Sequence, residues 1–326
     1  MALRMLSDED VRAVISADTA LDLARRTLRE QAGGRAILSS PAAMILDASP
    51  LGGPKAKFKA AAVGHVAASG IRLLSHPSPT GQVCNYCAIY KHEDATLSGL
   101  VAERWLSRIR TAAFGVVAIE PLVNPGPLVV ALFGAGGIAA EIVPLLARSL
   151  EVKELRVNSR RAESTSGFVD AHASKVSFPM RVESDRARML RDADVVVTLT
   201  ESRTPLVVPG MLKPGAVVCS MGSYNEVDFG ALLEAQRLVV DDSDFASEMG
   251  DGAAWIGQGH LTRAQFVERI DALACEVISG SKAGRLKNSD RIVALIQGMA
   301  IGDVAFAAHA LREAEKAGRG TVTRLP

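Results

Sequence analysis

Hydrophobic residues along this chain change spacing from one stretch to the next, and each spacing predicts a different kind of element. Over residues 7–30, Val11, Val14, Ile15, Leu21, Leu23 and Leu28 fall at near-helical intervals. They follow Ser7-Asp-Glu-Asp, an acidic start of the capping-box type, so a helix is expected there. The pattern then shortens. Residues 37–38, 43–46, 57–61, 71–74 and 83–90 are brief strand-like runs. Gly52-Gly53-Pro54, Pro77-Ser-Pro-Thr-Gly81 and His92-Glu-Asp94 separate them. Short strands close in sequence predict an antiparallel sheet or small barrel, so this region reads as α+β. Residues 97–119 read as a helical region interrupted near Ser107. The prolines of 121–127 then make the clearest linker, and the domain boundary is placed there, with residues 1–122 before it.

From 128 to about 244 the pattern alternates between strand and helix. The apolar runs 128–133, 154–157, 193–200, 215–220 and 237–241 are continuous, as in a parallel sheet covered on both faces. Pro144 falls inside the first intervening helix, where proline costs ~3 kcal/mol, so a late helix start or a kink is expected. Ligands of such sheets bind at the carboxyl ends of the strands, so 134–139, 198–200 and 221–223 should share one rim. Residues 245–259, with Trp255, read as a loop, 262–279 as a helix and 280–285 as a turn. Asn288-Ser-Asp290 caps a long helical pattern from Arg291 to about Lys316.

The totals narrow the function. A net charge of +1 gives no electrostatic reason to expect nucleic acid or an anionic membrane as partner. No apolar run reaches the ~18 residues of a membrane span. The acidic N-terminus lacks a secretory core, and a cytoplasmic protein is expected. Of the cysteines Cys84, Cys87, Cys219 and Cys275, the first two have C-x-x-C spacing. Zinc would need a second pair and a redox motif a helix start, so these are read as ordinary thiols on a strand, and no metal is expected.

The chemistry is carried by the turn after the first parallel strand. Phe133-Gly134-Ala-Gly136-Gly137-Ile138-Ala139 is the Gly-x-Gly-x-x-Ala form of the dinucleotide fingerprint, with a strand before it and a helix after. Gly134 permits the tight turn and Gly136 lets the backbone approach a pyrophosphate. Ala139 lets the helix lie close on the strand, and the helix N-terminus offers N–H groups to the phosphates. The fold class is therefore α/β: a doubly wound Rossmann sheet preceded by an α+β domain. An NAD-preferring site places an acid about 20 residues after the first glycine. Here Asn158-Ser159-Arg160-Arg161 stands there, and arginines suit a 2′-phosphate, so NADP(H) is expected over NAD(H).

Several segments then coincide in order. Arg110-Thr111-Ala-Ala precedes the fingerprint, Met221-Gly222-Ser223-Tyr-Asn-Glu226-Val-Asp228 lies beyond it, and Gly298-Met-Ala-Ile-Gly-Asp303-Val-Ala closes the chain. Together they resemble the ornithine cyclodeaminase/mu-crystallin family over about residues 7–320. The resemblance implies an N-terminal substrate domain that forms a homodimer through its sheet, a Rossmann domain over 123–299, and a last helix, within 300–326, returning to the first domain. With the fingerprint, the strand-end rim and the Ser159-Arg160-Arg161 segment, cofactor contacts are expected from Thr111, Gly134, Gly136, Gly137, Ile138, Ala139, Ser159, Arg160, Arg161, Thr198, Thr200, Met221, Gly222 and Ser223.

Carried over residue by residue, the family's motif gives Arg110 to the substrate carboxylate. The family's lysine strand matches Gly70-Ile-Arg72-Leu-Leu, so the lysine is replaced by Arg72, which can hold a carboxylate but is a poor proton donor. Lys57 or Lys59 could take over that proton. No arginine stands at 41–44, where the family has another, and Ser223 replaces the aspartate that a cyclodeaminase uses. Asp303 matches the aspartate of the last helix. The implied reaction is NAD(P)H-dependent reduction of a small α-imino acid to the L-amino acid. Arg110 and Arg72 would hold the carboxylate, and Lys59, or water held by Asp303, would keep the imine nitrogen protonated. Two other readings stay open: a cyclodeaminase-type deaminase with tightly held NAD, and a non-enzymatic NADPH-dependent binder of small ligands.

Overall fold

The computed structural model describes residues 2–53, 55–75 and 85–324. The chain begins with a strand, β1 (Ala2–Leu6), that the hydropathy pattern did not announce, followed by α1 (Asp8–Val14) and α2 (Ala17–Ala32). The single expected helix is split because Ile15 is extended and Ser16 caps a second helix, accepting from the Thr19 N–H at 3.1 Å. Ser7 and Asp10 form the expected capping box on α1. The short strands follow as β2 (Ala36–Leu38), β3 (Met44–Asp47), β4 (Lys55–Val63), β5 (Ala68–Ser75) and β6 (Tyr86–Lys91). Residues 97–102, expected to open a helix, are strand β7 (Leu97–Ala102). The helix α3 (Arg104–Ile119) starts after them and runs unbroken through Ser107.

The alternating part comprises β8 (Leu128–Phe133), α4 (Gly137–Ser149), β9 (Val152–Asn158), α5 (Ala162–His172), β10 (Met180–Val182), α6 (Arg186–Leu190), β11 (Val195–Thr198), β12 (Val217–Ser220), α7 (Phe229–Leu233) and β13 (Arg237–Val240). The helix start at Gly137 is not delayed by Pro144, which sits inside α4. Residues 245–259 are helical, not a loop: α8 (Ser243–Glu248) is capped by Asp242, and α9 (Gly250–Gly257) buries Trp255, whose Nε1 donates to the Val227 carbonyl at 2.8 Å. The helix expected over 262–279 is broken into α10 (Arg263–Arg269), β14 (Ala272–Leu273) and α11 (Ala274–Ser279). The long helix expected from Arg291 is instead β15 (Ile292–Leu295), a turn through Gly298 at φ 85°, and α12 (Ala300–Lys316). A last strand, β16 (Thr321–Arg324), closes the chain.

Contacts divide the chain into two units, one of residues up to Thr111 together with those from Met299 onward, the other Ala112–Gly298. The first unit holds a mixed sheet in the order β16-β1-β7-β6-β5-β4-β2, with β3 also on β4. Only its β1–β7 pair is parallel; the remaining pairs are antiparallel. Helix α12 packs across β4, β5 and β6, and Gly70 on β5 lets it close in, since a Cβ there would meet Val304 Cγ2 at 2.9 Å. The second unit is an all-parallel sheet in the order β10-β9-β8-β11-β12-β15-β13-β14. The order reverses beside β8, the switch point at which dinucleotides bind in such sheets. Among the described residues no helix is long and apolar enough to cross a membrane.

Candidate active site

In the first unit a row of polar side chains is carried inward by strand register. Lys59 on β4 pairs with Arg72 on β5, and Arg72 with Cys87 on β6, so these side chains share one sheet face. Along β4, Lys59, Ala61 and Val63 alternate as the buried positions, which puts the lysine on the core side. Glu103, just before α3, and Arg110 on α3 add a carboxylate and a guanidinium. Asp303 adds a carboxylate from the first turn of α12. All five polar groups are buried, Asp303 and Glu103 almost completely.

The network has a definite hierarchy. Arg72 is its centre: Nε pairs with Glu103 Oε2, Nη1 lies 3.5 Å from Asp303 Oδ2, and Nη2 donates to Ser107 Oγ at 2.8 Å. Arg110 Nε lies 2.6 Å from Asp303 Oδ1 as an ion pair, although the N–H is not aligned for a hydrogen bond. Glu103 Oε1 accepts no hydrogen bond among the described residues. Burial pushes the Lys59 ammonium down to about 7, with further help from the Lys57 charge and against the pull of Asp303. Burial likewise pushes the Glu103 carboxyl up to about 8, reinforced by Asp303 and opposed by Arg72. Fully charged, Lys59, Arg72 and Arg110 outnumber Glu103 and Asp303 by one cation. A buried surplus of that sign is compensated by an anionic ligand. Cys87 lies beside this network as a buried thiol held protonated by burial, while Cys84 lies outside the described residues.

The second unit carries a rim at the carboxyl ends of its strands. Phe133, Thr198 and Ser220 are register partners on β8, β11 and β12, so the turns that follow them adjoin. Gly134, at φ 124°, is required by sterics as well as by its turn: a Cβ would meet the Leu199 carbonyl oxygen at 2.7 Å. At Gly136 a Cβ would meet nothing, and Gly136 caps α4 without any side-chain bond to its first N–H groups. Those N–H groups are left for a ligand, and Ala139 is buried against the sheet. The residues present therefore fit a dinucleotide pyrophosphate. At the end of β9, the Ser159 hydroxyl lies 2.7 Å from Thr165 Oγ1 and donates to the Arg161 carbonyl. Arg160 and Arg161 are exposed, and neither forms an ion pair among the described residues.

Of the rim residues named from sequence, Thr198 is wholly buried, Met221 and Gly222 are buried, Thr200 is half-buried, and Ser223 is exposed. Thr111 is buried on α3. No role for Glu226 is legible in the sequence. The structure sets its carboxylate under the rim, where it accepts from the Thr200 N–H and O–H, each at 2.6 Å, and from the Gly222 N–H at 2.9 Å. Asp251 backs it, accepting from the Glu226 and Val227 N–H groups and from Ser220 Oγ. Glu103 was missed as well. The only sequence signal for either was a charged residue beside an apolar run, and such residues are mostly solvent-facing.

A parallel sheet with this strand order and a glycine-turn rim defines a protein of the Rossmann dinucleotide-binding class, in a chain that also buries a basic cluster. The chain belongs to the ornithine cyclodeaminase/mu-crystallin family, whose model matches residues 86–318. It is 28% identical over 226 residues to the Delta(1)-pyrroline-2-carboxylate reductase of Bacillus cereus, which covers 68% of each chain. Its fold matches an archaeal alanine dehydrogenase dimer with bound NAD at TM-score 0.90, 23% identity and 99% coverage of both chains. It also matches the Thermococcus litoralis Delta(1)-pyrroline-2-carboxylate reductase, solved with NADH and L-proline, at TM-score 0.88 and 20% identity. That match covers 98% of this chain and 99% of the other.

Proposed function

We propose that this protein reduces a small α-imino acid to the corresponding L-amino acid with NAD(P)H, preferring NADPH. The observation that carries the reading is the buried Lys59-Arg72-Glu103-Arg110-Asp303 network with its surplus cation. Arg110 takes the substrate carboxylate by a two-pronged hydrogen bond. Arg72, whose nitrogens already face Glu103, Asp303 and Ser107, supports that contact by holding Asp303 and the network in place. Lys59 titrates near neutrality and donates the proton that keeps the imine nitrogen cationic, with Asp303 orienting it or an intervening water. The bound nicotinamide supplies the hydride that reduces the imine carbon. Relatives that act on pyrroline-2-carboxylate make cyclic ketimines the first class to try.

NADPH preference is supported by the absence of an acid at the end of β9 and by the two unpaired guanidiniums of Arg160 and Arg161. The matched structures named above hold NAD or NADH, so both nucleotides belong in the test. A homodimer is supported by the outer face of the first sheet, where register places the exposed Ile37, Met44 and Leu46 along with Ile71 and Leu73. The reading is tested by following NADPH and NADH absorbance with pyrroline-2-carboxylate, piperideine-2-carboxylate, iminosuccinate, and pyruvate plus ammonia. Consumption with one of them establishes the reductase. Tight nucleotide binding without consumption overturns it, and ammonia release from ornithine then separates a deaminase from a ligand binder.

A further inference from the structure

Among the buried carboxylates of the second unit, Glu226 and Asp251 lie side by side, and no lysine, arginine or histidine pairs with either among the described residues. Such groups are costly and persist where their hydrogen bonds are fully used. Every partner of the Glu226 side chain is a donor. Oε1 takes the N–H and O–H of Thr200, and Oε2 takes the Gly222 N–H, with Ser220 Oγ 3.4 Å away. One side chain thus ties the turn after β11 to the turn after β12, and it does so from a fully buried position. Its own backbone is fixed at both ends: its carbonyl accepts from Leu206 and Val207, and its N–H donates to Asp251. Gly222 completes the fit, because a Cβ there would lie 2.1 Å from Glu226 Oε2.

We propose that Glu226 is the positioning residue of the nucleotide rim, a buried carboxylate that locks the Thr200 and Gly222 turns into the shape that receives the nicotinamide half of the cofactor. The adenine ribose belongs at the end of β9 and the pyrophosphate at the α4 N-terminus, which leaves the β11–β12 side for the nicotinamide. The inference rests on the reading of this rim as the nucleotide site. It requires a carboxylate specifically. A glutamine would turn an N–H₂ group toward either the Thr200 donors or the Gly222 donor, setting donor against donor. Asparagine at 251 is different. Its Oδ1 keeps both backbone N–H bonds, its N–H₂ donates to Ser220 Oγ, and the serine proton turns to Glu226.

The test measures Kd for NADPH and NADH by nucleotide fluorescence on the full chain and on three variants, with thermal unfolding beside each. Glu226→Gln is expected to weaken binding about tenfold or more, the loss of a buried charged hydrogen bond. Gly222→Ala, which displaces the Glu226 carboxylate without changing it, is expected to do the same. Asp251→Asn is expected to hold Kd within twofold. Steady-state KM for the imino acid should stay unchanged in Glu226→Gln while KM for the nucleotide rises, a split that general destabilisation does not produce. If Glu226→Gln does not fold, Gly222→Ala against Asp251→Asn decides. Tight wild-type binding with Kd within twofold in both Glu226→Gln and Gly222→Ala overturns this inference alone. No nucleotide binding by the wild-type chain overturns the reading of the rim, and this inference with it.

Discussion

Lys59 and Arg72 are register partners on adjacent antiparallel strands, and both are buried on the same sheet face. Two cations so placed raise each other's cost. Arg72 is offset by its pairing with Glu103 and Asp303, whereas Lys59 loses affinity for its proton, chiefly through burial and with a smaller push from Lys57, Arg110 and Arg72. The protonated fraction of Lys59 falls as pH rises through about 7. A proton donor of that kind makes kcat decline above that pH. Lys59→Met is expected to lower kcat by ~10²–10⁴ and to abolish the decline, with nucleotide Kd unchanged. A pH–rate profile of both proteins checks this, and an unaltered profile removes Lys59 from the reaction.

The same shift has a stability consequence of opposite sign. The folded Lys59 pKa lies below its ordinary value of 10.5, so between the two the unfolded chain binds more protons than the folded one. Stability from this residue therefore rises with pH from about 7 toward 10.5. Urea titrations at the two ends of that window should show a rise in wild type that is missing in Lys59→Met.

Arg110 meets Asp303 through Nε. Alanine there would take the nearer of two guanidiniums from the buried Asp303, at a cost of up to ~3–5 kcal/mol, and would confuse binding with folding. Arg110→Lys keeps the charge and removes the planar fork. KM for the imino acid is expected to rise about 10- to 100-fold with nucleotide Kd unchanged. Wild-type KM in this variant would take the carboxylate away from Arg110.

The proposed NADPH preference rests on the exposed guanidiniums of Arg160 and Arg161. The double change Arg160→Ala with Arg161→Ala is expected to weaken NADPH about tenfold or more and leave NADH within twofold. Parallel fluorescence titrations with the two nucleotides measure the difference, and equal loss of both would refute a 2′-phosphate role.

Arg285 is a structural staple of the second unit. Its guanidinium donates to the carbonyls of Leu122 at 2.8 Å, Gly215 at 2.8 Å, Asn288 at 3.1 Å and Asp290 at 2.6 Å. Arg285→Ala leaves the carbonyls of the buried Leu122, Gly215 and Asp290 without this donor and is expected to cost ~2–4 kcal/mol in unfolding free energy without altering KM. Denaturant midpoints with parallel kinetics would show it.

The sequence by itself determined the elements whose signal is local. The Gly134–Ala139 turn, the continuous apolar strands beside it and the Ser7 cap are each written within a few residues, because turn sterics and burial on both faces constrain short stretches directly. It did not determine β15. The run Ile292–Leu295 is apolar throughout, which suits a buried helix as well as a buried strand, and only its place between β12 and β13 decides. Tertiary structure alone decided the chemistry of the charged residues. Lys59, Arg72, Glu103, Arg110 and Asp303 are scattered over the chain, and their proton affinities depend on a burial and a set of neighbours that exist only once strand register and α12 bring them together. Glu226 and Asp251 look like surface acids in the sequence. Their role follows from the donors that the folded turns aim at them.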